Sequence, residues 1–177
     1  MGISESEVCQ ILEDCGYNRN NRVGVVVRHI NKNISSRNEA AMLLAHIIHE
    51  TGGFQHLEEL GHGSGHDYGD RYYGRGFIQL TWEGNYAAAS MAIFGDRNVL
   101  LNDPDLVARD EDVAMQTAIW FWMENVRPAA GGFTSFYRTT KAINGALEGP
   151  NHPTARKRYE YYVKAANVLG VSPLADE

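Results

Sequence analysis

Apolar residues recur at intervals of three and four along most of the chain, a pattern that predicts helices. Capping residues precede several of these segments, and glycine follows them where a helix should stop. The predicted helices cover residues 4–15, 22–31, 37–50, 82–94, 110–125, 134–143 and 153–169. The expected N-caps are Ser4 or Ser6, Ser35 or Ser36, Thr81 and Asp110. We therefore predict a mainly helical chain.

Residues 61–76 break this pattern. They are crowded with glycine, which is too flexible for a helix interior, and they predict a long functional loop with short pieces of strand. A turn is expected around residues 102–104, which read Asn-Asp-Pro. No repeat, low-complexity tract or linker interrupts the chain, so we expect residues 1–177 to form a single domain.

Composition narrows the class of protein. The 177 residues are 44% hydrophobic and 21% charged, which suits a globular domain with its own core. No stretch approaches the ~20 continuous apolar residues of a membrane helix. The net charge is −6 and there is no basic run, so nucleic acid is not an expected partner. The first residues lack the basic and apolar regions of a signal peptide. A secreted chain whose signal peptide had been removed would also lack them.

The two cysteines, Cys9 and Cys15, do not suggest a disulfide framework. If both lie on one helix, six residues separate them by roughly 9 Å of axial rise, which is too far for a bond. We predict two free thiols.

Glu50 combines an apolar surrounding with an unfavourable place on its helix. On a helical wheel of residues 37–50 it lies at the edge of the apolar stripe, near Leu43 and Ile47. It also falls in the last turn, where the helix dipole disfavours a carboxylate. Partial burial and the dipole both raise the pKa of the carboxyl group. A protonated carboxylic acid is what a glycosidase needs to protonate a leaving oxygen, whereas a glutamate paired with an arginine is the structural alternative.

Glu58 and Glu59 offer a second carboxylate eight and nine residues further on. The double glycine at residues 52–53 lets the chain turn back across the mouth of a cleft. Two carboxylates that flank a scissile bond suffice for glycoside hydrolysis, and their separation selects inversion or retention. Adjacent glutamates are also common as solvated loop residues, which is the alternative for each.

Five of the seven histidines fall between residues 46 and 66. They are His46, His49, His56, His62 and His66. Their spacing is not the H-E-x-x-H of zinc hydrolases, because Glu50 directly follows the second histidine. We expect these histidines to be core and loop residues, and we expect no metal and no cofactor.

Five segments, in order along the chain, resemble glycoside hydrolase family 19, the plant and bacterial endochitinases. They read HETGGF at 49–54, YYGRGFIQLTW at 72–82, TAIWFWM at 117–123, INGALE at 143–148, and RYEYY through VLGV at 158–171. Five ordered segments are more specific than any one motif.

The resemblance implies roles for the carboxylates. Glu50 corresponds to the general acid and Glu59 to the general base, with Glu58 as the rival for the second role. Thr81 corresponds to a residue that helps to hold the attacking water. On the residues alone, Thr81 is also a plain helix cap.

The resemblance also implies a set of substrate-binding residues. They are Tyr72, Gln79, Asn85, Asn144, Glu148 and Arg158. The three amides would bind acetamido and hydroxyl groups of the sugar, and Tyr72 would be an aromatic of the cleft. Glu148 and Arg158 would form an ion pair beside the base. Purely structural amides and ion pairs are the alternative.

The fold implied by the resemblance is mainly α, a lysozyme-like α+β fold. Two helical lobes would enclose a substrate cleft, with a small β-sheet around residues 68–80. The implied reaction is endo-hydrolysis of β-1,4 linkages between N-acetylglucosamine units with inversion of anomeric configuration. Chitin or its oligosaccharides would be the partner, with neither nucleic acid nor membrane. We expect a monomer that is secreted or acts on cell walls.

Other functions fit parts of the same pattern. A peptidoglycan-degrading muramidase or endolysin is the alternative among glycosidases, although the negative net charge weighs against it. A chitin-binding module without activity and a zinc hydrolase are more remote alternatives.

Overall fold

Over residues 2–177, the computed structural model shows α-helices joined by short loops, together with one π-helical turn. The α-helices are α1 (Glu5–Asp14), α2 (Val23–Asn33), α3 (Arg37–Thr51), α4 (Glu83–Phe94), α5 (Asn98–Asn102), α6 (Leu106–Arg109), α7 (Glu111–Phe121), α8 (Arg127–Ala130), α9 (Phe136–Asn144) and α10 (Pro153–Leu169). The π-helical turn, Trp122–Val126, links α7 to α8. The mainly helical prediction is confirmed.

Helix α3 lies in the centre of the core. Every residue from Ala40 to Ile48 is at most 2% exposed, so this helix is surrounded by protein on all sides. It packs along α10, the longest helix of the described chain. Its C-cap, Gly52, has a left-handed backbone with φ 59, which glycine adopts without strain. Glu50 therefore stands where a buried helix reaches the edge of the core.

Polar side chains cap the first turns of three helices, as predicted. Ser4 forms a capping box with Glu7 on α1, Ser36 accepts a backbone N–H at the start of α3, and Asp110 caps α7. These caps set the starting points of the helices that frame the core.

The prediction of Thr81 as the N-cap of α4 is wrong. Trp82 occupies that position, with φ 79 and no side-chain capping bond. The Thr81 hydroxyl instead donates to the Gln79 carbonyl oxygen at 2.8 Å. Thr81 thus belongs to the loop before the helix.

The segment predicted to hold a small β-sheet, residues 68–80, forms turns. Within residues 2–177 it shows isolated antiparallel bridges, from Arg75 to Glu58 and to Leu80, and no longer strand. Backbone with positive φ interrupts any ladder within this segment, at Gly69, Gly76 and Gln79. The segment is fixed by Arg75, which is 3% exposed and donates to the Arg71 carbonyl and the Tyr86 hydroxyl.

The region around residues 102–104 contains more helix than the sequence predicts. The expected turn lies between α5 and α6, and neither helix was predicted because five and four residues are too few to display a helical period. The helix predicted over residues 110–125 corresponds to α7 and most of the π-helical turn.

Cys9 and Cys15 are free thiols, as predicted. Burial raises the pKa of the Cys15 thiol to about 12. In the described part of the chain, no helix has the length and apolar character needed to cross a membrane.

Candidate active site

Glu50 and Glu59 line the same cleft, which has a volume of about 410 Å³. The cleft is bounded by the end of α3, the loop before α4 and the end of α9. Its lining residues are Glu50, Glu59, Tyr68, Ile78, Gln79, Leu80, Thr81, Trp82, Asn85, Phe121, Ile143, Asn144 and Leu147. Two carboxylates thus share one groove with several amides and aromatics.

The environment of Glu50 favours its protonated form. Its side chain is 18% exposed, and Oε2 lies 3.3 Å from the Arg158 guanidinium. Burial raises the pKa of Glu50, and this effect outweighs the opposing attraction of Arg158. The nearby Glu148 carboxylate raises it further. Glu50 is therefore shielded from solvent to the degree expected of a general acid. It also contacts an arginine, as the alternative of a purely structural glutamate predicted.

Arg158 is committed mainly to Glu148. Its Nε lies 3.0 Å from Oε1 of Glu148 and its Nη2 lies 2.9 Å from Oε2, a bidentate pair. Thr154 and Asn144 also donate to this carboxylate, at 2.7 and 2.8 Å. Burial alone raises the pKa of Glu148, but these hydrogen bonds outweigh it and lower the pKa to about 2. Glu148 and Arg158 therefore form the ion pair that the resemblance implies. The resemblance places this pair beside the base, Glu59, but in the structure Arg158 contacts Glu50.

His46 supports Arg158 from the core, a contact that the sequence interpretation missed. Its Nδ1 lies 3.1 Å from Nη1 of Arg158 and accepts a hydrogen bond, since the guanidinium has only donors. Its Nε2 then donates to Thr139 Oγ1 at 2.7 Å. Desolvation, aided by the Arg158 charge, lowers the pKa of His46 well below its usual range. His46 and Glu50 are four residues apart on one helix face, which was the available signal.

His49, next to Glu50, is also held neutral. Burial and then the positive charge of Arg158 lower the pKa of His49 to about 4.

Within residues 2–177, no three side chains of histidine, cysteine, aspartate or glutamate are grouped closely enough to hold a metal ion.

Glu59 and Glu58 have different surroundings. Oε1 of Glu59 accepts the Tyr68 hydroxyl at 2.7 Å and the Gly74 N–H at 3.2 Å, and Oε2 accepts the Gly63 N–H at 3.1 Å. The Glu58 side chain is 44% exposed and pairs with His62 at 3.0 Å. Glu58 faces a neighbouring depression, not the cleft that contains Glu50.

The polar residues Gln79, Asn85 and Asn144 line the cleft with Thr81. The Gln79 amide nitrogen donates to the Gly76 carbonyl at 2.9 Å, and that of Asn85 donates to the Thr81 carbonyl at 3.0 Å. The Asn144 amide nitrogen donates to the Glu148 carboxylate at 2.8 Å. Their amide oxygens accept no hydrogen bond from the described residues, so each can accept an N–H or O–H from a ligand.

Tyr72 is not among the residues that line the cleft. Its hydroxyl donates to the Leu101 carbonyl at 3.0 Å, and its ring packs beside Tyr86. The cleft aromatics include Tyr68 and Trp82, which the sequence interpretation did not select. Trp82 is 51% exposed and has a φ of 79, which is unusual for a non-glycine residue.

The chain is similar in sequence to known chitinases. A family model described as Chitinase class I matches residues 59–133. Endochitinase EP3 of Arabidopsis thaliana is 41% identical over 152 residues, which cover 78% of this chain and 54% of that protein. Acidic endochitinase SP2 of Beta vulgaris is 40% identical over 153 residues, covering 78% and 51%. The chain spans about half the length of the curated relatives that it matches.

Solved structures share the fold over nearly the whole chain. Chitinase C from Streptomyces griseus HUT6037 superposes with a TM-score of 0.80 and 30% identity, covering 98% of this chain and 95% of that one. A bacterial family 19 chitinase superposes with a TM-score of 0.78 and 32% identity, covering 98% of both. The mainly α, lysozyme-like class is therefore confirmed.

Proposed function

The chain belongs to glycoside hydrolase family 19, and on that premise we propose that it is an endochitinase acting through Glu50 and Glu59. The reaction is hydrolysis of β-1,4 linkages between N-acetylglucosamine units with inversion. One observation carries the proposal: the two carboxylates share a cleft but have different surroundings. Glu50 is partly buried and has a raised pKa, whereas Glu59 accepts hydrogen bonds from three donors.

Glu50 is the general acid in this proposal. Its proton passes to the glycosidic oxygen as the bond to the anomeric carbon breaks. Arg158 remains paired with Glu148 and contacts Glu50, so it stabilises the carboxylate that forms after proton transfer.

Glu59 is the general base. A water molecule on the opposite face of the sugar gives its proton to Glu59 while its oxygen attacks the anomeric carbon. The Thr81 hydroxyl donates to the Gln79 carbonyl, so its own oxygen is oriented to accept a hydrogen bond from that water. An inverting pair needs room for the water, so we expect the two carboxyl groups to lie roughly 6.5–9.5 Å apart.

Substrate binding falls to the amides and the exposed indole of the cleft. The free amide oxygens of Gln79, Asn85 and Asn144 are matched to acetamido N–H and sugar hydroxyl donors. Trp82 offers an apolar face for a sugar ring. Because the polymer lies in cell walls and other insoluble material, we propose that the protein acts there as a secreted monomer.

Proton NMR of chitin hexaose during hydrolysis tests this function. We expect α-anomeric product first, because inversion of a β-linkage gives the α configuration. Early β-anomer would contradict inversion, and no cleavage would contradict the proposal as a whole. Clearing of bacterial walls without turnover of the hexaose would indicate a muramidase instead.

Three glutamate variants separate the roles of the carboxylates. We expect Glu50→Gln and Glu59→Gln to lose nearly all turnover while still binding the hexaose. Glu58→Gln is the matched control, because Glu58 faces away from this cleft and pairs with His62. Loss of activity in Glu58→Gln with retention in Glu59→Gln would reverse the assignment of the base.

A further inference from the structure

We propose that Tyr68 is a positioning residue for Glu59. Its hydroxyl donates to one oxygen of the Glu59 carboxylate, so that the other oxygen remains available to accept the proton from water. The inference rests on the proposed function, because it adds a task within the proposed general-base step. Tyr68 lies in the segment 60–71, for which the family resemblance assigns no role.

The donors around Glu59 are distributed unequally between its two oxygens. A carboxylate offers about four acceptor positions, two on each oxygen. On Oε1, both are occupied, by the Tyr68 hydroxyl at 2.7 Å and the Gly74 N–H at 3.2 Å. On Oε2, the Gly63 N–H at 3.1 Å is the one donor that residues 2–177 provide. A water molecule that approaches Glu59 therefore finds its acceptor position on Oε2.

The loop that carries Tyr68 is folded back onto Glu59 by its glycines. The His62 N–H donates to the Glu59 carbonyl at 3.2 Å, and the Gly69 N–H donates to the His66 carbonyl at 3.0 Å. Gly63 has φ 79, and a Cβ there would lie 1.9 Å from the Gly69 carbonyl oxygen. No other residue fits at this position, so the glycine that donates to Oε2 also closes the loop that presents Tyr68.

The ring of Tyr68 is held by two aromatic neighbours. His66 stacks on it with ring centroids 4.9 Å apart, and Trp82 meets it edge-on at 5.4 Å and 77°. These contacts fix the direction of the hydroxyl group before any ligand arrives. Burial and the bond to Glu59 raise the pKa of Tyr68, so the phenol keeps the proton that it donates.

Tyr68→Phe isolates the hydroxyl, because the ring and its contacts with His66 and Trp82 stay. Hydrogen bonds to charged groups contribute enough that we expect kcat on chitin hexaose to fall roughly 10-fold to 100-fold. KM should stay within about twofold, since the sugar contacts are unchanged.

Tyr17→Phe is the matched control. It removes a phenol that is bonded to the Tyr161 hydroxyl at 2.8 Å, away from the cleft, and should leave kcat and KM unchanged. The inference is overturned if Tyr68→Phe retains the wild-type kcat. It is also overturned if kcat falls only in proportion to a loss of folded protein, measured by thermal unfolding.

Crystal structures of the wild type and Tyr68→Phe test the inference independently of activity. We expect the variant to bind a water molecule at Oε1 of Glu59, or to show a rotated carboxylate. An unchanged carboxylate without a water at Oε1 overturns the inference. Failure of the wild type to cleave chitin oligomers would instead overturn the proposed function, and the two crystal structures would still decide the role of Tyr68.

Discussion

The guanidinium of Arg158 contacts Glu50, with Nη2 3.3 Å from Oε2, while it makes a bidentate pair with Glu148. Arg158 is 1% exposed, so its positive charge needs a partner. Glu148, with its pKa lowered to about 2, supplies a full negative charge. Glu50 therefore does not have to be ionised to balance Arg158. Because Glu148 neutralises Arg158, Glu50 keeps a raised pKa although it contacts that arginine.

Arg158→Met should destabilise the fold strongly. It leaves the Glu148 carboxylate buried without a counter-charge, and such losses cost about 3–5 kcal/mol. Urea denaturation measures the change. Arg156→Met, on the same helix but exposed, is the matched control and should leave the unfolding free energy unchanged. Equal stabilities for the two variants would show that the ion pair contributes little.

Glu148 should make stability depend on pH in the acidic range. Its folded pKa of about 2 lies below the usual 4.5, so the folded state favours the ionised form. The resulting ~3 kcal/mol is present above pH 4.5 and is lost as the pH falls towards 2. The difference in unfolding free energy between wild type and Glu148→Gln should shrink over this range. A constant difference from pH 6 to pH 2.5 would contradict the assignment.

His46→Ala should weaken both the core and the support of Arg158. His46 is fully buried and stacks on Phe136 at 4.8 Å, so we expect a loss of roughly 2–4 kcal/mol. Because the pKa of His46 is lowered by folding, the unfolded chain binds more protons below pH 6.5. The difference from wild type should therefore be largest above pH 6.5 and decrease as the pH falls. His56→Ala, an exposed histidine, is the control.

Thr81→Ala should lower activity more than stability. The hydroxyl caps no helix, so the unfolding free energy should fall by less than the ~1 kcal/mol typical of a lost cap. If Thr81 holds the attacking water, kcat should fall roughly tenfold or more, and Thr81→Ser should retain most of it. Kinetics and urea denaturation on the same preparations distinguish the roles. A large loss of stability with normal kcat would indicate a structural hydroxyl.

Trp82 and Tyr72 should differ in their effect on substrate binding. Trp82→Ala removes an exposed ring from the cleft, so KM for chitin hexaose should rise severalfold. Tyr72→Phe should leave KM unchanged, because the Tyr72 hydroxyl bonds to the Leu101 carbonyl outside the cleft. The opposite pattern would restore Tyr72 as the aromatic residue of the cleft.

Much of the fold was accessible from local patterns. The helix predicted over residues 153–169 has the bounds of α10, and the predicted helix over residues 37–50 ends within one residue of α3. These segments are long enough for a helical period to appear, with caps at their ends. The sheet predicted around residues 68–80 was wrong because positive-φ turns at its glycines interrupt extended backbone.

Part of the candidate site was also accessible. Glu50 could be singled out because its helix end and apolar neighbours lie within a few residues of it in the chain. The family spacing then favoured Glu59 over Glu58, and the structure places Glu59 in the cleft with Glu50. The contact of Arg158 with His46 joins residues 112 positions apart, so local spacing could place His46 on the same helix face as Glu50 but could not indicate Arg158 as its partner.

The sequence by itself determined where the helices lie and which carboxyl groups are candidates for catalysis. It could do so because periodicity and capping act over a few residues. Only the tertiary structure decided which groups meet. The packing of α10 on α3 brings Arg158 to Glu50, and the folding of a glycine-rich loop brings Tyr68 to Glu59. Such contacts depend on burial and long-range packing, whose energies are summed over the whole core and are not encoded in any short segment.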